Sequence, residues 1–133
     1  MEEEELTRKI IACAMKIHSA LGPGFLESVY SKALTHELTK SGLQVACEKR
    51  IEVRYDGVVV GEFSADKLVE GKVMVEEKAM QALVLAHEVQ LVNYLTATGI
   101  EIGLLINFGA ERLEFKRKTR TWRASQPPKD FIL

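Results

Sequence analysis

The chain reads as a mixed α/β protein, one central sheet with helices packed against it, and three features predict this. Two helical stripes open the sequence in series. Alternating strand patterns around Asp56-Gly57 are followed by a third short strand. A further helical pattern then leads into a short, strongly apolar run, IEIGLLINF. Helix, helix, three strands, helix, two strands is an order that buries its apolar faces most simply as layers around one sheet.

Residues 6–21 carry Leu6, Ile10, Ile11, Ala14, Ile17 and Leu21 at helical spacing, and Gly22-Pro23-Gly24 breaks the pattern. The second helix, residues 26–40, presents Leu26, Val29, Tyr30, Ala33, Leu34 and Leu38, and Ser41-Gly42 ends it with a glycine suited to the left-handed cap. Leu43, Val45, Cys47, Lys49, Ile51 and Val53 then alternate with Gln44, Ala46, Glu48, Arg50, Glu52 and Arg54, which predicts a half-exposed strand. Asp56-Gly57 is a two-residue hairpin signal, and Val58-Val59-Val60 opens the return strand. Residues 72–78 complete a three-stranded meander. Residues 79–98 return to helical period, with Leu83, His87, Gln90, Leu91 and Tyr94 on one side and Gly99 as the cap. Residues 100–108 are apolar enough for the sheet interior. Residues 113–120 read as an edge strand whose lysines and arginines guard against unwanted pairing.

A chain of 133 residues with 47% hydrophobic and 28% charged residues makes one globular domain, expected over residues 1–125 with a loosely held tail at 126–133. The net charge of −1 provides no global field for nucleic acid, so any affinity for phosphate must come from local clustering. Charge is nonetheless uneven. Glu2 to Glu5 form an acidic start, whereas Lys116, Arg117, Lys118, Arg120 and Arg123 crowd the end. Cys13 and Cys47 lack metal-type spacing and are expected to be buried free thiols. With no signal peptide, spanning run or lipidation signal in view, a cytoplasmic protein without a membrane partner is expected.

The chemistry concentrates in FSADKLVEGKVMVEEKA, residues 63–79, two strands about a turn at Glu70-Gly71-Lys72. Alternation puts Glu76 and Lys78 on one face of the second strand and Val75 and Glu77 on the other. Pairing about the glycine turn can bring Asp66 beside Glu76. Two carboxylates that close repel unless one is protonated or a cation lies between them. A hard divalent ion such as Mg²⁺ suits carboxylate oxygens and keeps waters that can serve as nucleophiles. Lys78 could position or deprotonate such a water, or steady a phosphate. The plainer explanation is a set of solvated surface charges.

Glu27 lies in the first turn of the second helix, where the helix dipole favours a carboxylate by about 0.3–1 kcal/mol. It also shares a side with Tyr30 and Leu34, at the rim of a buried stripe where a metal or a lysine could partner it. His87, Gln90 and Tyr94 align along the third helix, His87 as a ligand, a phosphate contact or a satisfied half-buried ring.

GPGFLESVYSKALTHEL, FSADKLVEGKVMVEEKA, HEVQLVNYL and GLLINFGAERLEFKR occur in this order and span about residues 10–118. Together they resemble the small bacterial and archaeal GxxExxY proteins, with Gly24, Glu27 and Tyr30 as the motif, in the PD-(D/E)XK nuclease-like superfamily. The resemblance implies a restriction-endonuclease-like fold: a central mixed sheet, built from a three-stranded meander plus further strands and flanked by helices. It implies that Asp66, Glu76 and Glu27 hold Mg²⁺ or Mn²⁺ with a backbone carbonyl near Glu77. It further implies that Lys78 is the catalytic lysine, that Gln90 orders the site and that Tyr94 faces the nucleic-acid strand. The implied reaction is hydrolysis of phosphodiester bonds in DNA or RNA to a 5′-phosphate and a 3′-hydroxyl. Lys116, Arg117, Lys118, Arg120 and Arg123 are candidate phosphate contacts, Trp122 a candidate stacking surface, and a homodimer a candidate assembly. The alternative is a catalytically inactive nucleic-acid- or protein-binding module on the same fold.

The chain departs from the family pattern in two places. Glu77 stands where relatives usually carry an apolar residue pointing into the core. Ser64 and Lys67 flank Asp66 where a bulkier or basic residue and an apolar one are expected. A buried charge at 77 requires a polar partner, a ligand role or a raised pKa.

Overall fold

The computed structural model describes residues 3–120. The elements are α1 (Glu3–Leu21), α2 (Glu27–Lys40), β1 (Val45–Tyr55), β2 (Val58–Val69), β3 (Val73–Lys78), α3 (Leu85–Thr98), β4 (Ile102–Asn107) and β5 (Glu114–Thr119). They build the expected α/β architecture. The five strands form one sheet in the order β1-β2-β3-β4-β5. Pairing is antiparallel except between β3 and β4, which run parallel with Glu76 beside Leu105 and Lys78 beside Asn107. A parallel pair needs a crossover, and α3 supplies it. The tail from residue 121, with Trp122, Arg123 and the segment 126–133, lies outside the described residues.

Each face of the sheet has its own core. On one, Leu6, Ile10, Ala14 and Ile17 of α1 and Tyr30, Leu34 and Leu38 of α2 pack on Val69, Val73, Val75, Ile102, Leu104 and Ile106. On the other, Leu91 and Leu95 of α3 pack on Ile51, Ala65, Met74 and Leu105. Gly103 permits that second contact, because a Cβ there would lie 2.9 Å from a methyl of Leu91. All six residues of β4 are buried, as the apolar run requires of a strand covered on both sides. The charged β5 is an edge strand.

Four local expectations change. The third helix begins at Leu85, not at residue 79. Residues 79–84 form the bridge from β3, held by Asn107, whose Nδ2 donates to the Met80 carbonyl (2.9 Å) and whose Oδ1 accepts from the Met80 amide (3.0 Å). Leu26 is 76% exposed, and Phe25 and Val29 are also exposed, because the helical stripe of α2 that reaches the core starts only at Tyr30. Cys47 is exposed on the edge strand β1, and Cys13 is half-buried; both thiols are free.

The alternation of β1 also fails to hold along its whole length. Leu43 and Val45 join the α1/α2 core, whereas Ile51, of the same parity, joins the α3 core. Glu48, between them, has φ of 51°, a left-handed conformation rare for a side-chain-bearing residue. β2 changes face at the same level, since Val69 belongs to the first core and Ala65 to the second. The residue at that change is Asp66.

Candidate active site

The site is built where β2 and β3 part. Their backbone ladder runs from Val69/Val73 through Leu68/Met74 and ends at Lys67/Val75. At the next position side chains replace it. The amide of Glu77 donates to Asp66 Oδ2 at 2.8 Å, and the amide of Asp66 donates to Glu76 Oε1 at 3.2 Å. The tight turn behind them, with Glu70 and Gly71 both at positive φ, sets this register. It is clipped to the start of β1 by Glu70, which accepts from the Gln44 amide at 2.6 Å.

Electrostatics define the neighbourhood. Glu76 is 6% exposed, and its carboxyl is pushed from the ordinary 4.5 up to about 8, first by burial and then by the Asp66 charge, with Lys78 opposing. Glu27 is held above its usual range by the same causes in the same order: partial burial, then Asp66, with Lys78 pulling back. Tyr94 is raised by burial and then by Glu76 and Asp66. Groups from α2, β2, β3 and α3 therefore share one electrostatic field, with the negative charge of Asp66 near its centre and Lys78 as its counterweight.

Tyr30 orients the approach of Glu27. The buried phenol donates to the Gly22 carbonyl and accepts from the Phe25 amide at 3.1 Å, while its ring stacks on Phe108 at 4.8 Å. The loop before α2 is thus fastened from within, and the first turn starts beside the sheet. Glu27, three residues before Tyr30, enters the field of Asp66 and Lys78.

Of the other expected residues, Gln90 is exposed on α3, and its side chain makes no hydrogen bond among the described residues. His87 is a local cap: its Nδ1 accepts from the Val84 amide at 3.3 Å. Tyr94 stacks on Phe63 with centroids 3.5 Å apart. The two rings line a groove of about 1000 Å³ between α3 and the distal β1–β2 hairpin, with Tyr55, Val53 and Val60 among its walls. Lys116, Arg117, Lys118 and Arg120 lie on or just beyond β5, two strands from β3. Lys118 pairs with Glu88 at 2.5 Å and Arg120 with Glu101 at 3.0 Å, so half of this set is already committed to carboxylates.

Sequence reasoning left Glu77 and Lys67 as separate anomalies. In the structure they satisfy one another. Lys67 Nζ donates to both Glu77 oxygens, at 2.8 and 2.9 Å, and to Ser31 Oγ of α2 at 2.8 Å, with the two charged side chains 0% and 1% exposed. Burial pushes the Glu77 carboxyl up, and Lys67 and Ser31 pull it back. The available signal was two opposite charges replacing apolar residues on one face of adjacent hairpin strands, within diagonal reach. Asn107 was also missed. Besides holding Met80, it donates to Glu114 Oε1 at 2.8 Å and so fixes the chain as it leaves Lys78.

Asp66 and Glu76 fit a hard divalent cation: both are carboxylates, each accepts from an amide of the other's strand, and burial first, then the Asp66 charge, makes ionising Glu76 costly without a cation. Among the described residues no three Asp, Glu, His or Cys side chains converge as a ligand set. Glu27 is linked to the pair through the field it shares with Asp66 and Lys78.

This fold and this grouping of acids and a lysine define a nuclease-like α/β domain. The sequence model of the PD-(D/E)XK nuclease superfamily matches residues 4–118, and the chain belongs to that superfamily. No curated protein matches the sequence. Among solved structures, the crystal structure of SSO0001 is similar with a TM-score of 0.59 at 18% identity, over 72% of this chain and 50% of that one. The likeness is one of fold, and the chain spans half the length of that protein. No helix among the described residues is long and apolar enough to cross a membrane.

Proposed function

We propose that the protein is a metal-dependent nuclease of the GxxExxY type that hydrolyses phosphodiester bonds in nucleic acid. The observation that carries this is the shared field of Glu27, Asp66, Glu76 and Lys78, groups brought from three elements to the place where the β2–β3 ladder ends. Asp66 and Glu76 would hold Mg²⁺ or Mn²⁺, with Glu27 contributing directly or through water. A bound divalent ion supplies Lewis acidity at the phosphate and a more acidic water. Lys78 closes no ion pair among the described residues, and its ammonium is free to orient the attacking water and offset charge on the phosphoryl oxygens. Tyr94, with Phe63, gives the path of the strand an aromatic wall beside the carboxylates. Free thiols suit a reducing compartment, so a cytoplasmic setting belongs to the same reading.

The test is incubation of the wild type and Lys78→Met with single- and double-stranded DNA and RNA, with Mg²⁺, with Mn²⁺ and with chelator. Metal-dependent cleavage by the wild type, lost in the variant, is expected. Cleavage that survives in Lys78→Met would remove the lysine from the mechanism.

A non-catalytic binding module on the same fold is the second reading, favoured by the absence of a converging third ligand among the described residues. It requires that no substrate in the panel is cut while one of them is bound, with Lys78→Met indistinguishable from the wild type.

A further inference from the structure

The buried ion pair occupies a particular place. Lys67 directly follows Asp66 on β2, and Glu77 directly follows Glu76 on β3. Lys67 bonds Ser31 of α2, and Glu77 shares the parity of Val73 and Val75 in the α1/α2 core, so this pair lies on the α2 side of the sheet, whereas Glu76 shares the parity of Met74 in the α3 core. Lys67/Val75 is the last backbone pair between these strands. Beyond it, the links from Asp66 to Glu76 and Glu77 use carboxylate oxygens that a cation would compete for. The contact between Lys67 and Glu77 survives such competition because it lies on the other face. Ser31, also bonded to Lys67, is four residues after Glu27 on α2 and therefore one turn along the same side of the helix.

Stability alone does not account for this arrangement. Well-packed apolar residues commonly replace a buried ion pair with neutral or favourable effect, because desolvation offsets most of the attraction between the charges. What apolar residues cannot reproduce is direction. Three hydrogen bonds from one ammonium fix β2, β3 and α2 relative to one another at a single point.

We propose that Lys67, Glu77 and Ser31 form a positioning brace that sets the separation of Asp66 from Glu76, and of Glu27 from both, for a divalent ion. The brace rests on the metal-dependent reading of the site. Lys67 and Glu77 touch no substrate in this role; they act through the residues beside them. The departures at Lys67 and Glu77 then have one cause, since the lysine and the glutamate are useful only together.

The experiment is Mn²⁺ calorimetry on the wild type, Lys67→Met/Glu77→Leu and Ser31→Ala, each with a urea melt. The double variant is expected to unfold at a midpoint no lower than the wild type while binding Mn²⁺ about 10–100-fold more weakly, the usual effect of losing a supporting contact behind a metal ligand. Ser31→Ala, which leaves the ion pair intact, is expected to fold normally and bind severalfold more weakly. Wild-type affinity in a folded double variant overturns the brace and leaves the metal site standing. If the double variant does not fold, wild-type affinity in Ser31→Ala overturns it. No specific binding by the wild type overturns the metal reading and the brace with it.

Discussion

Replacing Glu76 by Gln should make the metal-free protein more stable in mild alkali and should flatten its response to pH. Glu76 is pushed from 4.5 to about 8 by burial and by Asp66. A carboxyl whose folded-state pKa lies above its unfolded value contributes stability that is complete below the unfolded pKa and is lost as pH rises towards the folded one. Between about pH 5 and pH 8 the unfolded chain has released this proton and the folded chain keeps it. At about 1.4 kcal/mol per pH unit, the loss from this one group is roughly 3–5 kcal/mol across the window. Gln cannot titrate, and its amide oxygen can still accept from the Asp66 amide as Glu76 Oε1 does at 3.2 Å. Urea melts in chelator at several pH values would give the difference between wild type and Glu76→Gln, which cancels the contributions of groups that do not interact with Glu76. The difference should favour Gln increasingly up to about pH 8 and then level off. A difference that stays constant over this window would refute the crowding of Asp66 and Glu76 on which the site rests.

Three further outcomes follow from the same geometry. At neutral pH a divalent ion should displace close to one proton, because Glu76 must ionise to bind it; calorimetry in buffers of differing ionisation enthalpy counts that proton. Lys78→Met should lower the cleavage rate by roughly 10²–10³-fold while leaving Mn²⁺ affinity nearly unchanged, a split measured by single-turnover kinetics beside calorimetry. Gly109→Ala should destabilise the fold by about 2 kcal/mol or more in urea melts, since its Cβ would lie 2.2 Å from the Met80 backbone nitrogen and 2.5 Å from the Ala79 carbonyl carbon.

The order of elements was legible because each core face left a periodic trace. The apolar run of β4, the Asp56-Gly57 turn and the stripe of α1 each correspond to a single physical requirement. The start of α3 was not legible. Residues 79–84 have helical composition, but a parallel β3–β4 pair needs chain to leave the sheet, and the grip of Asn107 on Met80 overrides local propensity. Nor could alternation reveal that β1 and β2 exchange faces at Glu48 and Asp66. The positive φ at Glu48 is imposed on a residue type that does not announce it.

Asp66, Glu76 and Lys78 were legible as a group because a short turn and strand alternation suffice to place them. Glu27 needed the family resemblance, since an acid in a first helical turn has an ordinary explanation in the dipole. Lys67 and Glu77 stood out one at a time, and their pairing became visible only through the strand register and the approach of Ser31 from α2. The basic run on β5 was legible as a charge cluster, but the partners of two of its members were not: Lys118 pairs with Glu88 and Arg120 with Glu101, contacts distant in sequence or across a strand end.

The most direct test of the central claim is Mg²⁺ and Mn²⁺ titration of the wild type and Asp66→Ala by calorimetry. The geometry predicts one specific site in the wild type, with proton release, and its disappearance in Asp66→Ala. Equal binding by both proteins would contradict a metal site at Asp66 and Glu76, and no binding by either would contradict the metal-dependent mechanism itself.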